Sequence, residues 1–194
     1  MGKLNRVKGD LLRLAEEGNF DFIVHGCNCF RKMKSGIAGQ IARKYPIVAE
    51  ADSLTLTTGP LRDKLGKWTS AKVISSSGNT FTVINAYTQY TYSRDKDVFE
   101  YDAFAKFLGE FSNYLEIFCL NPYKVEVIRG GLKSGTSEWV GSDKPAYETV
   151  RVGFPKIGCG LAGGDESRIV AMLEGFALVA PERCFVTLVD YQRG

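Results

Sequence analysis

One histidine beside a cluster of basic residues is the clearest reactive group in the sequence. His25 is the single histidine of the chain, and it ends an apolar run over residues 20–25 that is typical of a buried strand. An imidazole with an unperturbed pKa of about 6.5 can accept or donate a proton at neutral pH. Residues 24–38 (VHGCNCFRKMKSGIA) then carry three basic side chains and lead to a predicted helix that begins at Gly36. Free N–H groups and the helix dipole make such a helix start an anion site, although solvated basic loops are also common on protein surfaces.

A second loop, residues 155–165 (PKIGCGLAGGD), has glycines at Gly-x-Gly-x-x-Gly spacing between a predicted strand and a predicted helix. Glycines let the backbone approach a phosphate closely and tolerate positive φ. The pattern differs from a Rossmann dinucleotide site, which needs an acidic residue about 20 positions later at a second strand end. It also differs from a P-loop, because no Gly-Lys-Ser/Thr follows. Two glycine-containing anion loops in one small domain together indicate a ligand with a diphosphate group, held from both sides.

Predicted strands and helices alternate along the chain, and this order positions the two loops. Such alternation is typical of an α/β fold with helices on both faces of a mixed sheet, whose ligands bind beyond the carboxyl ends of the strands. Residues 76–79 predict a tight turn between two strands, and Pro46 is predicted to end a helix. The predicted strands cover residues 3–8, 20–25, 66–75, 80–87, 150–154 and 184–190, and the predicted helices cover 11–17, 36–45, 99–118 and 166–179.

Residues 121–149 interrupt this alternation. One strand-like patch, residues 125–128, lies among three turn-prone stretches. Because a structureless segment of this length is unusual inside a compact domain, we expect a surface insertion that forms a small hairpin and a flap.

The composition narrows the class of protein. The chain has 194 residues, of which 44% are hydrophobic and 24% charged, and a net charge of +3. These values predict one globular domain over residues 1–194 and exclude a disordered tail, a collagen, a coiled coil and a membrane bundle. The mild charge argues against a dedicated nucleic-acid binder. Five cysteines fit neither a disulfide framework nor a zinc site, and no signal-peptide pattern is visible. We therefore expect reduced thiols in a cytoplasmic protein, with no metal and no cofactor.

Five segments of the sequence match one known pattern: VKGDLL at residues 7–12, IVHGCN at 23–28, SGIA at 35–38, VINA at 83–86 and PKIGCGLAGG at 155–164. Together they resemble the macro domain family, the ADP-ribose-binding fold. The chain is similar in particular to the branch of ADP-ribose-1″-phosphate phosphatases (Appr-1″-p processing enzymes). That branch has His-x-Cys-Asn-Cys at the same strand end and a similar insertion before the last glycine loop. The resemblance implies a three-layer α/β/α sandwich with a mixed central sheet, with residues 121–149 as a surface insertion.

The resemblance assigns parts of the ligand to particular residues. Asp10 would accept a hydrogen bond from the adenine amino group, with Leu11 beside it, although Asp10 is also well placed as a helix N-cap. Asn28 would contact the distal ribose, although an Asn here can also close a turn. An aromatic side chain is expected over the adenine, and Tyr191 is the candidate. The other implied ligand-binding residues are Lys34, Ser35, Gly36, Ile37, Ala38 and Asn85, with Ile157, Gly158, Cys159, Gly160, Leu161, Ala162 and Gly163 of the second loop.

The same resemblance implies a phosphatase that converts ADP-ribose 1″-phosphate to ADP-ribose and phosphate. It matches His25 to a catalytic histidine that activates water for attack on the terminal phosphate, or protonates the leaving ribose oxygen. The ordinary alternative for a lone strand histidine is a structural role. Asp165 would orient water or His25, although it is also placed to cap the following helix. Asn28 completes the implied catalytic set.

Two departures from the family pattern leave other functions open. Lys34 and Ser35 stand where many members have glycines, and they would either crowd the distal ribose or, with Arg31 or Lys32, bind the extra phosphate. Residues 84–89 (INAYTQ) lack the lysine of the branch that removes ADP-ribose from side chains, and this absence disfavours the lysine mechanism of that branch. The alternatives are a mono-ADP-ribosyl hydrolase that acts on modified macromolecules, and a non-catalytic module that reads or sequesters ADP-ribose derivatives. In each case we expect a monomer with no membrane association.

Overall fold

The protein is built around a six-stranded mixed sheet. The computed structural model describes residues 2–54, 60–92, 98–120, 124–128, 137–141 and 147–191, with the backbone alone for residues 118, 119, 124–128 and 137–141. The strands of this sheet are β1 (Asn5–Gly9), β2 (Phe22–Asn28), β3 (Trp68–Ile74), β4 (Thr80–Gln89), β7 (Val150–Pro155) and β8 (Cys184–Tyr191). The two remaining strands, β5 (Lys124–Ile128) and β6 (Ser137–Gly141), pair with each other. In the order β1-β8-β7-β2-β4-β3, all neighbours are parallel except β3, which runs antiparallel to β4.

Helices cover both faces of the sheet. They are α1 (Leu11–Glu16), α2 (Gly36–Lys44), α3 (Pro46–Ser53), α4 (Tyr101–Tyr114) and α5 (Glu166–Val179). Successive residues of β4 point to opposite faces, so Val83 packs in the core beneath α1–α3 and Ile84 in the core beneath α4 and α5. This arrangement confirms the predicted α/β class and the three-layer α/β/α sandwich with a mixed sheet.

Pro46 begins a helix rather than only ending one. The sequence predicted a helix that stops at this proline, and α2 does end at Lys44, but α3 starts at Pro46 itself. Tyr45 between them has φ −130° and ψ 79°, which breaks the helical path. Proline is favoured in the first turn of a helix, because its missing N–H has no helical acceptor there. Helix α3 was therefore missed, and with it the element that carries Asp52.

Two further segments differ from, or refine, the predictions. The predicted helix over residues 99–118 is α-helical only over Tyr101–Tyr114 and continues as a π-helical turn, Leu115–Leu120. In the predicted insertion, β5 and β6 form the expected hairpin, while the predicted flap lies outside the described residues. No helix among the described ranges is long and apolar enough to cross a membrane.

Candidate functional site

A cavity of about 870 Å³ opens beyond the carboxyl ends of the parallel strands. Residues from the ends of β1, β8, β7, β2 and β4 all line it, together with the loops that follow β2 and β7. The four inter-strand spacings from β1 to β4, at about 4.8 Å each, make the site about 19 Å long. The position agrees with the rule that ligands of α/β sheets bind outside the carboxyl ends of the strands. The cavity is thus elongated, with one end at β1 and β8 and the other at β2 and β4.

The β1/β8 end of the cavity holds a carboxylate and an aromatic ring. Asp10 follows β1, and its Oδ1 accepts hydrogen bonds from the N–H groups of Leu12 (2.8 Å) and Arg13 (3.1 Å), so it is the N-cap of α1. Asp10 and Leu11 both line the cavity, as predicted from the sequence. Tyr191, at the end of β8, also lines it and is 61% exposed. The structure therefore brings the three residues predicted for adenine together.

The middle of the cavity lies between the start of α2 and the glycine loop after β7. Residues 35–38 line one side, and residues 157–162 line the other. The first N–H groups of a helix have no acceptor within the helix, and the Ser35 side chain makes no capping hydrogen bond to them. This start of α2 therefore has the character of an anion site. Both loops meet across one space, as the sequence predicted.

Gly158 fixes the shape of the glycine loop. It has φ +77°, and a Cβ at this position would lie 2.2 Å from Cδ2 of the buried Phe99 ring. The carbonyl oxygen of Ala162 accepts hydrogen bonds from the N–H groups of Val98 and Phe99, at 2.9 and 3.2 Å. The loop therefore folds back onto residues 98–99. Gly163, predicted as a ligand contact, does not line the cavity; with φ +70° it turns the chain toward α5.

The β2/β4 end of the cavity combines cations, amides and a buried carboxylate. Exposed Lys32 and Lys34 come from the loop after β2, and Gln89 from the end of β4. Asn28 lines the cavity as predicted, but its Oδ1 accepts from the N–H groups of Phe30 (3.1 Å) and Lys32 (3.2 Å). Its Nδ2 donates to the Lys32 carbonyl at 3.0 Å. Asn28 therefore closes the loop that holds Lys32, which was the alternative considered from the sequence.

Two cysteines line the cavity as neutral thiols. Burial raises the pKa of Cys27 well above its usual value, and the nearby Asp52 adds to the effect. Burial also raises the pKa of Cys159. Because a thiolate rather than a thiol is the nucleophile, neither side chain is activated for covalent chemistry. Within the described ranges no group of three His, Cys, Asp or Glu side chains is arranged to hold a metal ion.

His25 lies inside the sheet and not at the edge of the cavity. Its side chain has no exposed surface, and Nε2 lies 2.6 Å from Oδ1 of Asn85. Asn85, also predicted as a ligand contact, donates from Nδ2 to the Val48 carbonyl (3.0 Å) and to Thr69 Oγ1 (3.1 Å). Neither His25 nor Asn85 lines the cavity. Burial lowers the pKa of His25 to about 4, although the bond to Asn85 opposes this shift.

The position of His25 follows from the length of β2. The sequence predicted that the strand ends at His25, but β2 continues to Asn28. His25 is therefore three positions from the strand end, with Gly26, Cys27 and Asn28 between it and the loop. We interpret His25 as a residue that links β2 to β4 through Asn85, and the expected direct contact between His25 and the ligand is not present in this structure.

Asp165 serves as a helix cap. Its Oδ1 accepts a hydrogen bond from the N–H of Arg168 at 2.7 Å, at the start of α5. It does not line the cavity, whereas the next residue, Glu166, does. Glu166 forms an ion pair with Lys156 at 2.8 Å, and Lys156 also pairs with Asp190 at 3.2 Å. The structure thus does not place His25 and Asp165 together beside a common ligand.

Several lining residues were not predicted as site residues. The chemically important ones are polar or aromatic: Gln89 ends β4, Tyr92 and Lys156 follow β4 and β7, and the others lie in α2, α3 and α5. Two of them, Lys156 and Gln89, could have been predicted, because they lie just after the ends of predicted strands. No pattern in the sequence pointed to the others. The unpredicted polar and aromatic lining residues are Gln40, Asp52, Gln89, Tyr92, Lys156 and Glu166.

Comparison with known proteins agrees with this architecture. No family model matches the chain. The chain is 32% identical over 133 residues to an uncharacterized 17.5 kDa protein from the tk-vs intergenic region of enterobacteria phage T4. That match covers 69% of this chain and 81% of the phage protein.

Two solved macrodomain structures have the same fold. The macrodomain of Thermus aquaticus DarG gives a TM-score of 0.60 at 14% identity, with 100% of both chains covered. Thermosipho africanus DarTG, solved in complex with ADP-ribose, gives a TM-score of 0.60 at 15% identity and covers 97% of this chain and 42% of its own. The chain belongs to the same family as the phage T4 protein, and its fold is that of a macro domain.

Proposed function

We propose that the cavity binds ADP-ribose derivatives lengthwise, and that the protein releases the terminal phosphate of ADP-ribose 1″-phosphate. The observation that carries this proposal is the order of chemical groups along the cavity. Asp10 lies at the β1/β8 end, the two anion loops lie in the middle, and Lys32 and Lys34 lie toward the other end. ADP-ribose has a matching order, with an amino-bearing base, a diphosphate and a sugar. The bound ADP-ribose in the structurally similar DarTG supports the choice of ligand.

The two loops suit a diphosphate because they present backbone rather than side-chain groups. Oxyanions accept short, strong hydrogen bonds from N–H donors, and the dipole of α2 adds a partial positive charge at Gly36. The glycine loop allows close approach, since Gly158 and Gly160 have no side chains to separate the backbone from the ligand. A diphosphate held here places the adenine toward Tyr191 and the terminal ribose toward Asn28.

Water would attack phosphorus, and the bond between phosphorus and the 1″ oxygen would break. The water oxygen would leave in inorganic phosphate, and a proton from that water would pass to the 1″ oxygen, which becomes a hydroxyl group of ADP-ribose. Lys32 and Lys34 would stabilise the negative charge that builds on the phosphoryl oxygens. We assign no proton transfer to His25, because it is buried and its pKa is lowered to about 4. Hydrolysis through a lysine at the end of β4 is not favoured, because Gln89 lines the cavity there.

The test is incubation with ADP-ribose 1″-phosphate followed by separation of the products. We expect ADP-ribose and inorganic phosphate in equal amounts. The double variant Lys32→Met/Lys34→Met should release phosphate at least about a hundredfold more slowly, since two groups that stabilise the charged transition state are lost. Lys72→Met is the matched control and should keep the wild-type rate. Lys72 is an exposed residue of β3 and does not line the cavity.

Binding without turnover is the second candidate function. It is favoured by one observation, that His25 and Asp165 do not line the cavity. If ADP-ribose 1″-phosphate binds but is recovered intact, the phosphatase is excluded and the reader is supported. If phosphate is released at equal rates by the wild type and the double lysine variant, the role of the two lysines is wrong.

Asp10→Asn should weaken ADP-ribose binding about tenfold, the loss expected for one hydrogen bond to a charged acceptor. The Asn carbonyl can still accept from Leu12 and Arg13, so the helix cap and the unfolding midpoint should be retained. Calorimetric titration should show no such loss for the hypoxanthine analogue, which lacks the amino group. Equal weakening of both nucleotides would rule out recognition of the adenine amino group by Asp10.

A further inference from the structure

A buried ion pair lies against the β2/β4 end of the cavity. Asp52 in α3 is 2% exposed, and Lys64, in a 3₁₀ turn before β3, is 3% exposed. Lys64 Nζ lies 3.8 Å from Oδ1 of Asp52, and the Tyr87 hydroxyl donates to the same oxygen at 2.7 Å. Asp52 lines the cavity, whereas Lys64 and Tyr87 do not. Asp52 is therefore the member of this cluster that borders the ligand space.

The cluster is poorly explained by stability alone. Burying two charges has a large desolvation cost, and well-packed apolar residues are often as stable as such a pair. Lys64 Nζ has no hydrogen-bond acceptor among the described residues and instead lies 4.0 Å from the centre of the Tyr87 ring. Burial lowers the pKa of Lys64, and Asp52 opposes that shift. Charged groups placed in the wall of a cavity at such a cost are typical of ligand recognition.

At the β2/β4 end of the cavity, Asn28 has little hydrogen-bonding capacity left for a ligand. Asn28, which the resemblance to macro domains assigned to the distal ribose, uses both of its Oδ1 lone pairs and one N–H to close the loop after β2. At most one N–H of its side chain remains for a ligand. Arg31 Nη1 donates to the Ser53 carbonyl at 3.0 Å, which ties that loop to the end of α3 beside Asp52. Asp52 is thus held next to the position that a terminal sugar would occupy.

The charge of Asp52 specifies the kind of ligand group it can meet. A carboxylate repels phosphate oxygens and accepts hydrogen bonds from hydroxyl groups, and it can accept about four in all. The hydrogen bond from the Tyr87 hydroxyl and the contact with Lys64 both involve Oδ1 and hold the carboxylate in place. In a nucleotide that carries a diphosphate, the groups that suit this position are the sugar hydroxyls beyond the second phosphate.

We propose that Asp52 accepts hydrogen bonds from hydroxyl groups of the terminal ribose, and that Lys64 and Tyr87 are positioning residues for it. The assignment rests on the proposed function, because it requires that a nucleotide lies along the cavity with its terminal sugar at the β2/β4 end. Asp52 would then distinguish ADP-ribose from ADP, which lacks that sugar.

The test compares two nucleotides and three variants by calorimetric titration. Asp52→Asn should weaken ADP-ribose binding at least about tenfold, as for hydrogen bonds to a charged acceptor, and should leave ADP binding unchanged. Tyr87→Phe keeps the ring and removes the bond to Oδ1, so it should weaken ADP-ribose less than Asp52→Asn and leave ADP unchanged. Glu50→Gln removes an exposed carboxylate from the same helix, away from the cavity, and should change neither affinity.

The outcomes separate this assignment from the proposed function. If the wild type binds neither nucleotide, the proposed function fails and the assignment fails with it. If the wild type binds both, but Asp52→Asn leaves ADP-ribose affinity unchanged or weakens both nucleotides equally, the assignment alone is overturned. Should Asp52→Asn not fold, the pattern for Tyr87→Phe decides, because a selective loss of ADP-ribose supports the contact and an equal loss contradicts it.

Discussion

Gly158→Ala should lower the free energy of unfolding by about 3 kcal/mol. This figure combines the cost of overpacking a core with the cost of a non-glycine residue at positive φ. The new Cβ would lie 2.2 and 2.4 Å from two atoms of the Phe99 ring, and the residue has φ +77°. Phe99 is buried and packs edge-on against Tyr101 and Phe104, at ring separations of 5.1 and 5.6 Å. The loop must therefore move away from Phe99, out of the shape that closes the cavity.

The same change should weaken ADP-ribose binding about a hundredfold, the effect of losing two backbone hydrogen bonds to a charged phosphate. Gly160→Ala is the matched control for the change in stability. It lies in the same loop, a Cβ there would have no heavy atom within 4 Å, and its φ lies outside the positive range. Urea unfolding should show a change of less than about 0.5 kcal/mol for this control. Equal stability of the two variants would contradict the role of Gly158.

Protonation of His25 should lower the free energy of unfolding by about 3 kcal/mol between pH 6.5 and pH 4. This figure follows from the difference between the pKa values of His25 in the folded and unfolded states. The folded-state pKa is about 4 because burial disfavours the imidazolium ion, while the unfolded chain has a pKa near 6.5. Below pH 6.5 the unfolded state binds the proton more readily, so stability falls as pH falls. Below about pH 4 both states are protonated, and the contribution no longer changes.

The measurement is the urea-unfolding free energy of the wild type and of His25→Gln at pH 7 and at pH 4. Glutamine cannot titrate but can still donate to Oδ1 of Asn85. Carboxyl groups also titrate in this range, and the variant corrects for them because it retains all of them. The wild type should lose about 3 kcal/mol more than the variant. Equal losses would mean that His25 is not held neutral by burial.

Local signals in the sequence explain why most of the fold could be predicted. Helix α5 has the predicted bounds because Asp165 caps it and the following residues keep an apolar face. The β3–β4 hairpin was predicted from its turn, where Gly78 has φ +85°. Helix α3 was missed because a proline after a helical pattern can equally end one helix or begin the next. Only the packing of Val48 under the sheet shows which occurs.

The two ends of the cavity differ in how well the sequence predicted them. Asp10 was identified through the resemblance to macro domains. Its place between a strand and the helix that it caps is set locally and does not depend on distant contacts. The role of His25 depended on where β2 ends, and strand ends are set by pairing with β4 over residues 22–28. A shift of three positions moves a side chain from the ligand space into the sheet, which no local pattern reveals.

Asp52 could not be predicted because its environment is made by contacts that are distant in sequence. Lys64 and Tyr87 lie on a 3₁₀ turn and on β4, and both reach Asp52 only when α3 packs on the sheet. In the sequence, Asp52 is one of two acidic residues in the segment PIVAEADSL at residues 46–54, and nothing in that segment marks it as buried. A buried charge is visible only once the fold is known.

The most direct test of the central claim is calorimetric titration of ADP-ribose into the wild-type protein, beside the Gly158→Ala variant. The account predicts saturable binding of one ADP-ribose per chain, lost or strongly weakened in the variant, because the ligand lies between the start of α2 and the glycine loop. No binding of ADP-ribose by the wild type, or equal binding by the variant, would contradict it.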